Sequence, residues 1–138
     1  MGTIDDRTGL EILPEETCWQ LLRGGTVARL AVVVGRRPDI FPVNYTVHDG
    51  AILIRTAPGT KLAASVLNRW VALEVDEADA EARTGWSVVV QGSTAEVERL
   101  DDLIEAESTA LTPWAEGPRS RWLRVVPESV TGRRISGG

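Results

Sequence analysis

Residues 39–55 read Asp39-Ile40-Phe41-Pro42-Val43-Asn44-Tyr45-Thr46-Val47-His48-Asp49-Gly50-Ala51-Ile52-Leu53-Ile54-Arg55, and this stretch decides the fold. Side chains alternate across a strand, so Phe41, Val43, Tyr45 and Val47 share one face, with Ile40, Pro42, Asn44 and Thr46 on the other. Asp49-Gly50 is a strong hairpin pair because both residues tolerate positive φ. The apolar run that follows is the return strand, and the unit is a tight antiparallel hairpin. Pro42 has no N–H to give to a ladder, which places it at an edge or a bulge. The polar face carrying Asn44 and Thr46 either lines a ligand groove or meets solvent.

More strands appear on both sides of this hairpin. Residues 26–34 are β-rich and nearly all apolar, which predicts a strand buried on both sides over part of its length. Gly35-Arg36-Arg37-Pro38 is its polar hairpin loop. Residues 71–75 form a further strand that dissolves into the acidic segment 76–81. Residues 87–100 give the longest strand pattern, with Gln91-Gly92 marking a bulge or bend of the kind that barrel corners need. Residues 121–126 alternate again, and 128–135 extend them past Pro127. Three short helices are predicted. The first runs over 14–23, opened by Pro14-Glu15-Glu16 and stopped by Gly24-Gly25. The others cover 61–67 and 101–109, the last broken at Thr112-Pro113-Trp114. Residues 1–10 read as a flexible leader and 136–138 as a tail. Roughly six hairpin-connected strands in so short a chain predict a mainly β protein, a small closed or split antiparallel barrel. A β-sandwich and an open sheet with helices on one side are the alternatives.

At 138 residues, 43% apolar and 25% charged, the chain reads as one globular domain. A net charge of −5 argues against nucleic acid or an anionic membrane as partner. No apolar run approaches the ~20 residues of a membrane span. Residues 1–7 lack the basic and apolar regions of a signal peptide, and cytoplasmic localisation is expected. Cys18 is the single cysteine, so no internal disulfide forms, and its place in a helical pattern makes it a packed hydrophobe. His48 is the single histidine. One His and one Cys cannot build the usual zinc site, and a turn tip is a poor seat for an oriented catalytic base. An enzyme of this composition takes its chemistry from a cofactor. No catalytic residue can be named.

Ile54-Arg55-Thr56-Ala57-Pro58-Gly59-Thr60-Lys61-Leu62 passes from strand through a Pro-Gly turn into a helix start with Thr60 as N-cap. Free N–H groups, a hydroxyl and one or two cations meet there, as a phosphate requires. Lys61 so early in a helix opposes the dipole unless an anion compensates it. The same pattern is also that of an ordinary capped helix with solvated cations. Five tryptophans are present, and Trp86 and Trp114, in or beside loops, suit a flat ligand, an interface or the plugging of barrel ends.

Taken with Pro42-Val43-Asn44-Tyr45 and with Gly85-Trp86-Ser87-Val88-Val89-Val90-Gln91-Gly92, that segment resembles the FMN-binding split β-barrel proteins. These are the pyridoxamine 5′-phosphate oxidase-like flavoproteins, above all their small actinobacterial, nitroimidazole-reductase-like branch. The resemblance runs from about residue 14 to residue 134. It implies a six-stranded antiparallel split barrel and a homodimer with two flavin sites at the subunit interface. It further implies that Arg55, Thr56, Thr60 and Lys61, with Ala57 and Leu62 beside them, hold the FMN phosphate. Pro42, Val43, Asn44 and Tyr45 would run along the isoalloxazine ring, and Trp86, Ser87, Val88 and Gln91 would close the site from the partner subunit. Trp114 and Trp122 would wall the substrate side. The implied activity is hydride transfer from NADH or NADPH through the flavin to a small organic acceptor. A deazaflavin coenzyme in place of FMN, or a flavin-binding module without turnover, are the alternatives. The further basic and polar residues with which the true oxidase holds pyridoxal phosphate have no counterpart placed in this chain.

Overall fold

The computed structural model describes residues 3–56, 66, 67, 69–97 and 121–136. Its elements are β1 (Thr3–Ile4), β2 (Glu11–Ile12), α1 (Glu15–Arg23), β3 (Val27–Val34), β4 (Arg37–His48), β5 (Ala51–Thr56), β6 (Trp70–Asp79), β7 (Thr84–Glu96) and β8 (Arg121–Ser136). The helix expected over 101–109 and nearly all of that over 61–67 lie outside the described residues, as does Trp114.

The expected hairpin forms as read. Asp49 and Gly50 both take positive φ, 51° and 68°, the conformation of a two-residue hairpin turn. Val47 then pairs with Ile52 and Tyr45 with Ile54. Every pairing is antiparallel, and the ladder runs β8–β5–β4–β3–β6–β7 and back to β8. That is a six-strand ring, the split barrel. Closure depends on β8, whose 16 residues pair along nearly their whole length with β7 and, at the Arg121 end, with β5. The ring encloses one packed core, with Leu30, Tyr45, Ile52, Ile54, Leu73, Val88, Val90, Leu123 and Val125 all buried.

The bulge falls where the sequence places it. Gln91 faces Ser129 while Gly92 faces Pro127, so Glu128 is the extra residue. Pro127 is tolerated inside β8 because the ladder is interrupted there. A Cβ on Gly92 would run into the Val126 carbonyl oxygen, so only glycine lets the two backbones come this close.

α1 sits at one mouth of the ring. Pro14 is its N-cap, Glu15 and Glu16 occupy the first turn, and Cys18 and Leu22 are its buried residues. Cys18 is fully buried, a packed hydrophobe as expected, and burial pushes its thiol up. A Cβ on Gly132 would lie 2.7 Å from its Sγ, so β8 receives the helix through a missing side chain. The Tyr45 hydroxyl donates to the Leu22 carbonyl at 2.6 Å. Burial pushes that phenol up to about 12, which keeps it a donor through the physiological range.

Three expectations are corrected. Residues 3–12, inside and just beyond the expected leader, pair as β1 and β2, and β2 joins β8 opposite Arg133 and Arg134. β3 is not buried on both sides: Ala28, Leu30 and Val32 point inward, whereas Val27, Arg29 and Val33 are exposed. Apolar composition alone does not tell a core face from an exposed apolar one. β6 does not end at residue 75 but continues to Asp79, because Asp76 to Asp79 pair residue by residue with Ser87 to Thr84 while their side chains stay in solvent. No helix among the described residues is long and apolar enough to cross a membrane.

Candidate flavin-binding face

The outer surface of β4, β5 and β8 is built by register. Tyr45 and Ile54 are opposite one another and buried in the core, so their neighbours Asn44, Thr46, Leu53 and Arg55 point outward. Arg55 in turn faces Trp122 across the β5–β8 ladder. The Arg55 guanidinium carbon lies 5.2 Å from the centroid of that indole. Trp122 is 2% exposed and packs with Leu53 and Val97 in a second, smaller buried cluster. The indole is therefore covered and stands beneath Arg55, which corrects its expected place in a substrate wall.

β4 explains Pro42. The Tyr45 N–H donates to the Thr26 carbonyl at 3.1 Å. Backbone direction alternates in an antiparallel ladder, so Phe41, Val43 and Tyr45 turn their N–H and C=O groups toward β3, and Pro38, Pro42 and Asn44 turn theirs away. β4 pairs with β5 only through residues 45–48. At Pro42 the far side of β4 is thus an edge among the described residues, and the missing N–H costs no ladder bond. The Asn44 side-chain amide donates to the Thr26 carbonyl at 3.4 Å and turns along the strand.

Not every expected site residue presents its side chain. Val43, Tyr45, Thr56 and Val88 are buried at 6%, 2%, 5% and 0% exposure. The side chains of Val43, Tyr45 and Val88 belong to the core, where only their backbone is left for a ligand, while Thr56 is a buried polar residue outside that cluster. Ala57, Thr60, Lys61 and Leu62 lie outside the described residues. Trp86, on β7, is half-buried against the core and faces Glu77 and Arg134 across its two ladders. Ser87 is half-buried beside it, while Gln91 is exposed and accepts a hydrogen bond from the Ser129 hydroxyl at 3.3 Å.

The structure therefore brings Pro42, Asn44 and Arg55 together on one outer face and Ser87 and Gln91 on another, while Trp86, like Val88, turns to the core side of β7. In the ring β4 and β7 are separated by two strands in either direction, about 14 Å along the sheet. Arg55, on β5, lies nearer, with β8 alone between it and β7.

Beside Trp86 a cavity of about 450 Å³ opens between the end of α1 and β6, lined by Gln20, Leu21, Gly24 to Val27, Val75, Asp76 and Glu77. Its acids and the carbonyl end of α1 make it a poor phosphate seat.

Two features escaped the sequence reading. Arg29 reaches across β6 to Glu74 at 2.9 Å and Asp76 at 3.2 Å. Burial pushes the Glu74 carboxyl up, while its hydrogen bond to Asp76 and the Arg29 guanidinium hold Asp76 below the usual carboxylate range. Next to this cluster, Val33, Ile40 and Trp70 are 58%, 62% and 63% exposed on the same outer face. A groove of about 350 Å³ runs between Val33, Pro38, Trp70 and Ala72. The available signal was the apolar outer register of residues 27–33.

An antiparallel ring of six strands with a helix at one mouth, and a cationic, partly polar outer face at β4–β5, defines a split-barrel protein of the pyridoxamine 5′-phosphate oxidase type. Residues 14–134 match the pyridoxamine 5′-phosphate oxidase family, and the chain belongs to it. It is similar to an FAD binding protein from Mycobacterium smegmatis, with 38% identity, 92% of this chain and 99% of the other covered, and a TM-score of 0.83. A FAD-binding protein from Mesorhizobium loti aligns at 25% identity over 91% of this chain and 96% of its own, with a TM-score of 0.74. An uncharacterized protein of Mycobacterium tuberculosis is 33% identical over 89% of this chain and 84% of its own length.

Proposed function

We propose that the protein is a flavin-dependent oxidoreductase that moves a hydride between a nicotinamide nucleotide and a small organic acceptor. The observation that carries this reading is the close likeness, at 38% identity, to nearly the whole of a protein named for FAD binding. The outer face fits such a group. Arg55 offers a fixed cation for its phosphate, beside Thr56 and followed in sequence by Ala57, Thr60, Lys61 and Leu62. The edge of β4 at Pro42 and Asn44, with the backbone of Val43 and Tyr45, offers the ring a flat, partly polar border. The bound flavin supplies the chemistry by accepting and returning two electrons with a proton. The chain's share is to bind and orient it and to exclude water, which needs no histidine or metal. The flavin is proposed at the level of class: FMN is what the resemblance implies, while two similar structures are named for FAD.

The reading includes a homodimer. Trp86, Ser87, Val88 and Gln91 lie on β7, separated by two strands from Pro42 and Asn44 on β4, and in this reading the two halves of the proposed site meet by pairing with a second chain. The exposed Val33, Ile40 and Trp70 supply an apolar face for that pairing. Arg29 with Glu74 and Asp76 gives its border both signs of charge, as a self-complementary interface uses.

The purified protein, titrated with FMN, FAD and a deazaflavin and followed by visible absorption, is expected to take up a flavin at micromolar concentration or below. NADH or NADPH is then expected to bleach it anaerobically. Uptake of no flavin would end the reading; uptake without reduction by either donor would leave a binding module. Ile40→Asp is expected to shift the dimer toward monomer by at least ~tenfold in light scattering and to weaken flavin uptake with it. A monomeric wild-type chain that binds flavin tightly would contradict the shared site.

A further inference from the structure

We propose that the cavity between the end of α1 and β6 seats a small organic cation with a flat body, and that it is the substrate side of the flavin site. The inference rests on the flavin reading and deepens it by naming the class of substrate. The space is about 450 Å³, within the range of small-molecule sites. Register decides what faces it. Glu77 pairs with Trp86 across the β6–β7 ladder, and cross-strand partners share a face. Val75, two residues before Glu77, is buried in the core. Glu77 and Trp86 therefore continue the core face of the ribbon to the mouth where α1 sits. Asp76 takes the opposite face and reaches Arg29 at 3.2 Å. Glu77 is exposed, and its carboxylate has no hydrogen bond or ion pair among the described residues.

The chemistry suits a cation. A carboxylate and an indole lining one cavity both attract an organic cation, the first by charge and the second through its ring quadrupole. The carbonyl end of α1, at Leu21 and Gly24, adds the negative pole of the helix dipole. Arg134 stands opposite Trp86 on β8 and lines the adjoining cavities rather than this one. Two strand spacings, about 10 Å, separate it from Glu77, and salt screens its charge over that length. Thr26 ties the cavity to the flavin face. It lines the cavity, and its carbonyl accepts from the Tyr45 N–H at 3.1 Å and from the Asn44 side-chain amide at 3.4 Å. A ligand seated here borders the β4 edge along which the flavin ring is proposed to run.

The probe is benzyltrimethylammonium, with benzyl alcohol as its neutral counterpart and benzoate as its anionic one. Each is titrated calorimetrically into the flavin-free protein and into the flavin-loaded one. The cation is expected to bind at least ~threefold more tightly than the alcohol, and benzoate more weakly than either. Glu77→Gln keeps the shape and removes the charge. It is expected to weaken the cation roughly two- to fivefold and to leave the alcohol, flavin uptake and the thermal melt unchanged. In the flavin-loaded protein the cation is expected to shift the visible flavin bands with the midpoint that calorimetry gives. Equal affinity for cation and alcohol, or an unaltered cation affinity in Glu77→Gln, would overturn the proposal. Cation binding that leaves the flavin bands untouched would overturn the substrate role while the flavin reading survives. Uptake of no flavin would overturn that reading and the substrate role together, while the flavin-free titrations would still decide the cation seat.

Discussion

Gly92→Ala is expected to lose about 3 kcal/mol of folding stability, the upper end of what overpacking costs, although it adds a single methyl group. The reason is what that methyl meets. At Gly92 the β8 backbone bulges toward β7, and a Cβ there would collide with the Val126 carbonyl oxygen and stand 3.0 Å from the Pro127 Cα. A clash with a flexible side chain is relieved by rotation, but a clash with backbone requires the strand to move. Here the strand is the one that closes the ring. Gly24→Ala is the control. Gly24 has right-handed helical φ and ψ of −84° and −8°, and its nearest added contact is an ordinary 3.6 Å. It is expected to be neutral or to stabilise by up to ~1 kcal/mol through the unfolded chain. Urea unfolding of the two variants beside wild type decides the matter. Equal stability of Gly92→Ala and wild type would show that the closure does not depend on the bulge.

What the sequence made legible was local. Asp49-Gly50 announced the hairpin, Gln91-Gly92 the bulge, and Pro14-Glu15-Glu16 with Gly24-Gly25 the bounds of α1, because each rests on backbone chemistry within a few residues. Ring closure is different in kind. It joins residues 84–96 to 121–136, and no periodicity within either strand says which partner it takes. The number of hairpin-connected strands favoured a closed or split barrel over a sandwich or an open sheet, and the resemblance to a family singled out the split barrel. The same limit applies to the site. Alternation assigned Asn44 to the outer face, but that Val43, Tyr45 and Val88 are committed to the core emerges from the closed ring. The place of Trp122 beneath Arg55 is a matter of β5–β8 register. The strand pattern of β6 dissolves in sequence into an acidic segment after residue 75, although an exposed ribbon satisfies its backbone as well as a buried one.

Register also shapes what removing the cations should do. Arg55→Ala with Lys61→Ala is expected to weaken binding of the flavin nucleotide by at least ~100-fold, about 2.8 kcal/mol. Two charge-assisted contacts to one phosphate are lost, each contributing about 1.5–3 kcal/mol where water is partly excluded. Arg55 is half-buried beside the Trp122 indole on the outer face. Lys61 lies outside the described residues, and its part rests on the sequence, where a lysine in the first turn of a predicted helix calls for an anion. The fold should hardly notice. The Arg55 side chain points away from the barrel core, so the melt of the double variant is expected to stay near that of wild type. The loss should appear for FMN or FAD and not for riboflavin. It should also flatten the salt dependence of nucleotide binding, since the screened attraction has been removed. Unchanged nucleotide affinity in the double variant would take the phosphate away from this end of β5. Matched losses for nucleotide and riboflavin would mean that the two residues shape the face rather than hold the anion.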